Sequence, residues 1–144
     1  MNGHRQHDEC DVLICGAGPI GLTLGICLKR NGVSRVIVCD RQLARYPLPR
    51  AVGLHHDSLR LLCATGLSEV ILPTLEDMIG PVGTNFSWRD KDGAIIVDLH
   101  IEQLSASGYS QLMAFSQPEF EGALETAAIG LGVELLRGIG TTSD

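Results

Sequence analysis

The chain has 144 residues, of which 44% are hydrophobic and 19% are charged, as is usual for one α/β domain. Its formal net charge of −6 and its isoelectric point near 5.2 argue against nucleic acid as the main partner. Its five cysteines include no C-x-x-C pair, so neither a disulfide framework nor a cysteine metal site is expected.

The first predicted elements are a strand, a glycine-rich turn and a helix within the run DVLICGAGPIG, residues 11–21. Gly16 lets the chain leave the strand in a tight turn, and Gly18 keeps the backbone bare so that a pyrophosphate can approach it. Pro19 suits the first turn of a helix, and Gly21 lets that helix pack closely against the strands. Because the helix N-terminus presents unpaired N–H groups to phosphates, the pattern predicts a dinucleotide site.

A second apolar run, residues 36–39, ends in Asp40, about 20 residues after the glycine turn. A carboxylate there can accept hydrogen bonds from ribose hydroxyls and would repel a 2′-phosphate, which favours FAD or NAD over NADP. The alternative is a solvated strand-end acid beside Arg41, but the spacing to the glycines favours the ribose role. Nearby basic residues are expected to help hold anionic ligands rather than form only a solvated face: Lys29, Arg30, Arg35, Arg41, Arg45 and Arg50.

Residues 12–28 carry no charge and could be mistaken for a signal peptide or a membrane span. The run is marginal in length for a span, and the residues before it are acidic, whereas a signal peptide begins with positive charge. A buried strand and helix explain it better, so a cytoplasmic protein without membrane contact is expected. Within this strand, this helix and the next strand, Cys15, Cys27 and Cys39 are expected to be small buried hydrophobes.

After the second strand the predicted elements are shorter. They are a proline-stiffened loop, a helix that Gly66 stops, a short helix and a β-hairpin, at residues 45–51, 56–65, 68–72 and 83–99. The hairpin turn is Asp92-Gly93. The pair His55-His56 is not expected to bind metal, because it lacks partners at ligand spacing and adjacent helix residues point to different sides.

The next clear helix signal begins at Ser116. Ser116 with Glu119 three positions later is a capping-box pattern, and Pro118 fits a first helical turn. Apolar residues follow at helical spacing on one predicted face: Phe120, Leu124, Ala127 and Leu131. The helix should end at Gly130 or Gly132, and Val133 to Leu136 is predicted to be a further strand of the first sheet.

Five stretches of this chain match a known family: residues 11–21, Asp40-Arg41, residues 49–54, residues 58–62 running to Gly66-Leu67, and residues 115–118. The chain resembles the FAD-dependent aromatic hydroxylases, flavoprotein monooxygenases related to p-hydroxybenzoate hydroxylase. Within them it is most similar to the 3-(3-hydroxyphenyl)propionate hydroxylase group. Many flavoproteins share the glycine motif, whereas the Pro-Arg-Ala loop and the Gln-Pro helix start narrow the resemblance to this group.

The resemblance implies an α/β fold, a Rossmann-like FAD-binding βαβ domain of the glutathione reductase type that is incomplete here. It implies that residues 1–79 belong to the FAD-binding domain and that residues 80–112 form a β-hairpin insertion toward a β-rich substrate domain. Residues 113–144 would then return to the FAD-binding domain as a helix and a strand.

The resemblance also implies a set of cofactor-binding residues: Gly16, Gly18, Pro19, Gly21, Asp40, Arg41, Arg50 and Gln117. The glycine turn would line the FAD pyrophosphate, Asp40 would hold the adenosine ribose, and Arg41 would lie along the adenosine. The family more often has Glu where this chain has Asp40. Arg50 would reach the FAD phosphates or the nicotinamide donor, and Gln117 would bond the ribityl or phosphate region. The alternatives are a solvated loop arginine and a simple helix-cap residue.

In such enzymes NAD(P)H reduces FAD, and oxygen is then transferred to an activated phenolic ring. No residue of this chain is a convincing acid, base or nucleophile, so neither a catalytic residue nor a metal site is predicted. Family members run to several hundred residues and carry later Asp-Gly and Gly-Asp motifs that this chain lacks. We therefore expect an N-terminal fragment that is inactive alone, an aromatic substrate being bound only in a complete enzyme. The alternatives are a small non-catalytic NAD- or FAD-binding module and a degenerate remnant.

Overall fold

The computed structural model describes residues 9–48 and 50–140. Within these, the chain forms two compact units. The first comprises the described residues up to Pro47 and from Glu121 onward, and the second comprises Leu48–Phe120. The division into residues 1–79, 80–112 and 113–144 concerns the domains of a whole enzyme and stays a prediction.

Strands and helices follow one another in the order β1-α1-β2-β3-α2-α3-β4-β5-β6-β7-α4-β8. The strands are β1 Val12–Cys15, β2 Val36–Asp40, β3 Gly53–His55, β4 Leu75–Asp77, β5 Thr84–Arg89, β6 Ile95–Ile101, β7 Leu112–Phe115 and β8 Glu134–Arg137. The helices are α1 Pro19–Arg30, α2 His56–Leu62, α3 Ser68–Ile71 and α4 Gln117–Gly130.

The first unit is built on a parallel sheet in the order β1-β2-β8. Because β2 is the central strand, four of its five residues are buried, as is expected of an apolar strand covered on both faces. The core has no exposed surface at Leu22 and Ile26 of α1 or at Val36 and Val38 of β2. The predicted strand-helix-strand unit and the predicted return of a later strand to its sheet are therefore confirmed.

Helix α1 lies against the sheet because two of its residues have no side chain. Gly25 packs where an added Cβ would lie 3.2 Å from Cγ2 of Val38. At Gly21 the fit is tighter still, since a Cβ would lie 1.9 Å from the Gly16 carbonyl oxygen. Pro19 occupies the first turn of this helix, as predicted.

The second unit contains an antiparallel sheet in the order β3-β7-β4 and a separate hairpin, β5 with β6. The predicted hairpin is confirmed. Its turn is held by Asp90, whose Oδ1 accepts hydrogen bonds from the N–H groups of Asp92 and Ala94, at 2.9 Å each. Strands β3, β4 and β7 were not predicted, because each has only three or four residues and pairs with a partner distant in sequence.

The buried face of α4 differs from the predicted one near its end. Phe120, Leu124 and Ala128 are buried, Ala127 is half-buried, and Leu131 is 39% exposed. Leu131 lies beyond the last helical residue, so the helical spacing that predicted its burial no longer applies there.

The predicted burial of three cysteines is correct only for Cys39. Cys27 is half-buried and Cys15 is exposed. Ile14 faces α1, since a Cβ at Gly21 would lie 3.3 Å from its Cγ2. Side chains alternate along a strand, so Leu13 and Cys15 point to the opposite face, where Leu13 is 51% exposed.

Across the part of the chain that the structure describes, no helix combines the length and the apolar character needed to cross a membrane.

We expect Gly21→Ala to destabilise the fold by about 3 kcal/mol, because the added Cβ would overlap a main-chain oxygen that cannot move aside cheaply. Gly130→Ala is the matched control, since it lies at the end of a helix in open space and should change stability by less than about 0.5 kcal/mol. Urea denaturation of both variants measures the difference. Equal stability of Gly21→Ala and the wild type would contradict the close packing.

Candidate functional site

The glycine turn between β1 and α1 is held by its own backbone. Gly16 has a φ of +112°, a conformation that favours glycine. Its N–H donates a hydrogen bond to the carbonyl oxygen of Cys39, at 2.7 Å. The turn is thereby joined to β2 at the carboxyl end of the sheet, which is where ligands bind in folds of this class.

Gly18 is a glycine that the fold itself does not require. Its φ of −85° and ψ of −173° are open to any residue, and an added Cβ would meet nothing within 4 Å. At Gly21 of the same motif, by contrast, packing within the fold leaves no room for a side chain. The space beside Gly18 lies at the N-terminus of α1, whose first N–H groups attract anions. The space that a Cβ would occupy there is open, and close approach of a phosphate group would explain a glycine at this position.

The Asp40 side chain ties the end of β2 to the glycine turn. Oδ2 accepts a hydrogen bond from the Ala17 N–H, and Oδ1 accepts one from the Gln42 N–H, at 2.8 Å each. An ionised carboxylate has about four acceptor positions, so further hydrogen bonds from a ligand are possible. The side chain is half-buried, so it is both fixed and accessible.

The surroundings of Asp40 favour its charged form. The Gln42 N–H lowers the pKa of Asp40 most, and the Ala17 N–H lowers it further, against the opposing effect of partial burial. The positive charges of Arg137 and Arg41 act in the same direction. The site therefore presents a stable negative charge, which suits ribose hydroxyls and repels a 2′-phosphate.

A cavity of about 350 Å³ opens between the glycine turn and the residues after β8. Its lining consists of Cys15, Gly16, Cys39, Asp40, Arg41, Ile139 and Gly140. Ile139 is brought there by the pairing of β8 with β2 and by a hydrogen bond from its N–H to the Asp40 carbonyl oxygen, at 3.0 Å. Sequence reasoning missed both cysteines and the residues after β8. The rule that parallel strands end at one edge could have placed them there.

Three of the six basic residues named in the sequence analysis make contacts outside this cavity. Arg35 pairs with Glu134 at 2.8 Å, Arg45 lies 3.8 Å from Glu125, and Lys29 donates to a backbone carbonyl. Among the six basic residues named above, Arg41 lines the cavity. That Arg41 and the other five residues help to hold an anionic ligand stays a prediction.

The second unit holds Gln117 and Arg50, the other two predicted site residues. Gln117 is 7% exposed, and its Oε1 accepts hydrogen bonds from the N–H groups of Arg50 and Ala51, at 3.0 Å each. Two N–H donors require the oxygen of the amide to face them, which settles the orientation of the side chain. Gln117 therefore positions the backbone of the Arg50 loop, a role that the sequence did not reveal.

The histidine pair lies differently from the sequence expectation. His55 ends β3 with an extended backbone and His56 begins α2, so the two residues do not diverge as helix neighbours would. Their ring centroids are 4.2 Å apart, and ligand atoms of His55, His56 and Asp57 lie within 4.8 Å of one another. That the chain binds no metal stays a prediction.

The sequence matches the protein family described as "FAD binding domain" over residues 9–143. The chain belongs to this family.

Two curated relatives are similar in sequence to this chain. A 3-(3-hydroxy-phenyl)propionate/3-hydroxycinnamic acid hydroxylase of Comamonas testosteroni is 50% identical over 71 residues, 49% of this chain and 12% of that protein. A protein of Rhodococcus jostii (strain RHA1) named "Probable NADH-specific resorcinol 4-hydroxylase" is 30% identical over 134 residues, 90% of this chain and 23% of that protein. The chain therefore spans less than a quarter of the length of either relative.

Solved structures give the same result for the fold. The crystal structure of AlpK matches with a TM-score of 0.70 and 29% identity, covering 94% of this chain and 25% of that one. Aklavinone-11 hydroxylase, solved with FAD and aklavinone, matches with a TM-score of 0.66 and 28% identity, covering 96% of this chain and 26% of that one. The predicted family, fold class and FAD cofactor are confirmed; the roles of the individual site residues stay predictions.

We expect Asp40→Asn to lower stability by about 1.5 kcal/mol at neutral pH, because an amide has a single, uncharged acceptor oxygen for two N–H groups. The folded-state pKa of Asp40 lies below its ordinary value of 3.8. The contribution of the carboxylate is therefore complete above that value and is lost as pH falls through the lower, folded-state pKa. The stability difference should shrink correspondingly in urea denaturation between neutral pH and about pH 3. Asp92→Asn in the exposed hairpin turn is the control, and a pH-independent difference for Asp40→Asn would contradict the prediction.

We expect Gln117→Met to loosen the Arg50 loop, since two backbone N–H groups lose their acceptor. Trypsin should then cleave after Arg50 about tenfold faster, relative to cleavage after Arg89 in the hairpin, if opening becomes easier by about 1.4 kcal/mol. Gln117→Glu keeps the acceptor oxygens and is the matched control. An unchanged ratio of the two cleavage rates in Gln117→Met would show that the amide does not hold the loop.

Proposed function

We propose that this chain binds the adenosine diphosphate part of FAD in the cavity between the glycine turn and Asp40. The observation that carries the proposal is Gly18, whose lack of a side chain serves no contact within the fold. A bare backbone at the N-terminus of a helix is what close approach of a pyrophosphate requires.

Different residues would contact different parts of the bound ligand. Gly16, Gly18 and Gly21 with Pro19 would form the turn that receives the pyrophosphate. Asp40 would accept hydrogen bonds from the ribose hydroxyls with the lone pairs that the backbone N–H groups leave available. Arg41 would lie along the adenosine, where it lines the same cavity.

For the second unit, we propose that Arg50 contacts the phosphates of FAD or the nicotinamide donor. Gln117 would act mainly by holding the Arg50 loop in place, and its amide would also bond the ribityl or phosphate region. The hydrogen bonds from Gln117 to the loop support the positioning role. The contact with the cofactor rests on the family resemblance.

The whole enzyme to which such a domain belongs would be an NAD(P)H- and O₂-dependent hydroxylase of phenolic rings. The names of the two relatives, both hydroxylases of phenolic compounds, support this substrate class. Bound flavin supplies the redox chemistry, while the protein orients it and excludes water. We propose that these 144 residues alone do not hydroxylate, because they span 12% and 23% of those relatives. We also propose that the protein is cytoplasmic and that it binds neither nucleic acid nor a membrane.

We expect the chain to bind FAD and to retain flavin absorbance after desalting. Gly18→Ala should keep its stability, because the added Cβ meets nothing, yet lose at least about tenfold in FAD affinity, because the Cβ enters the space of the pyrophosphate. Calorimetric titration with FAD measures the affinity of the wild type and of Gly18→Ala. Gly130→Ala, whose added Cβ also meets nothing, is the control and should keep the wild-type affinity.

Titration with NAD separates the proposal from its alternative, a small non-catalytic nucleotide-binding module. Preference for FAD supports the hydroxylase domain, whereas a clear preference for NAD supports the module. A folded chain with no affinity for FAD would refute the proposed function.

A further inference from the structure

Two thiols, those of Cys15 and Cys39, lie side by side on neighbouring strands. They are register partners in the parallel pairing of β1 with β2. Side chains of such partners point to the same face, and neighbouring strands lie about 4.8 Å apart. This spacing falls within the range of about 4.4–6.8 Å that the Cα atoms of a disulfide span. Both side chains also line the same cavity, which places the two thiols on one side of the sheet beside each other.

The two thiols differ in access to solvent. Cys15 is exposed, whereas Cys39 is 4% exposed, and both line the cavity beside Asp40. Burial raises the pKa of the Cys39 thiol, and the neighbouring Cys15 raises it further. A small oxidant entering the cavity therefore meets Cys15 first, while Cys39 is placed to react with the sulfur of Cys15.

We propose that Cys15 and Cys39 form a dithiol site that hydrogen peroxide oxidises to a disulfide inside the nucleotide cavity. The Cys15 sulfur attacks one peroxide oxygen, the O–O bond breaks, and a sulfenic acid and one water form. The Cys39 sulfur then attacks the sulfenic sulfur, the S–O bond breaks, and a second water leaves. The two thiols give up two electrons and two protons, and one peroxide is reduced to two waters.

A nucleotide in the cavity would shield this pair, a consequence that rests on the proposed function. Cys15 directly precedes Gly16, and Cys39 directly precedes Asp40, so both thiols adjoin the proposed ligand contacts. Bound FAD should therefore hinder the oxidant, and the oxidation rate should follow the fraction of protein without ligand.

The first experiment uses the 144-residue chain without FAD. After treatment with hydrogen peroxide, the tryptic peptide of residues 36–41 should be linked to the peptide that contains Cys15, with the loss of two hydrogen atoms. Dithiothreitol should reverse the link. Cys15→Ser should abolish it without loss of stability, because that side chain is exposed, whereas Cys27→Ser should retain it. A link that persists in Cys15→Ser, or a peptide 36–41 left unlinked in the oxidised wild type, would overturn the proposal.

The second experiment repeats the oxidation with FAD at ten times its dissociation constant. The rate of disulfide formation should fall about tenfold, since only the unliganded fraction reacts. An unchanged rate, with flavin binding verified by calorimetry, would refute the shielding while leaving the proposed function intact. Absence of flavin binding would refute the proposed function and the shielding, whereas the dithiol site is decided by the first experiment alone.

Discussion

The close approach of Gly21 to the Gly16 carbonyl is the constraint on which the site depends. An added Cβ would lie 1.9 Å from that oxygen, so the first turn of α1 can occupy its place only without a side chain there. This contact sets where α1 begins relative to the end of β1. With the helix start fixed, the Ala17 N–H reaches Asp40 and the backbone at Gly18 stays uncovered. A larger residue at 21 would disturb both, although it touches neither.

Asp40 has a structural role that precedes any ligand. Its carboxylate binds backbone N–H groups on two sides, and its carbonyl oxygen accepts the N–H of Ile139. Three separate segments are thereby joined at the carboxyl end of the sheet before a nucleotide arrives. A site held in this way loses little conformational entropy on binding, which favours affinity. If the proposed function is right, replacing Asp40 changes affinity and stability together, whereas replacing Gly18 changes affinity alone.

The elements that could be predicted are those whose signal is local. The β-branched run of β2, the proline and glycines of α1 and the Asp92-Gly93 turn each specify their own structure over a few residues. Strands β3, β4 and β7 could not be found in this way. Three or four residues are too few to show the alternation of apolar and polar residues that predicts a strand, and these strands pair with partners distant in sequence. The role of Gln117 as the acceptor for the Arg50 loop was hidden for the same reason, since 66 and 67 positions separate the partners.

The sequence by itself determined the class of ligand, because the spacing of Gly16, Gly18 and Gly21 to Asp40 already encodes a helix N-terminus facing a carboxylate. Only the tertiary structure decided which other residues share that place. The pairing of β1 with β2 brings the thiols of Cys15 and Cys39 together, and the return of β8 to the sheet brings Ile139 over the cavity. Such neighbours arise from strand order and register, which depend on packing between distant segments and leave no pattern along the chain.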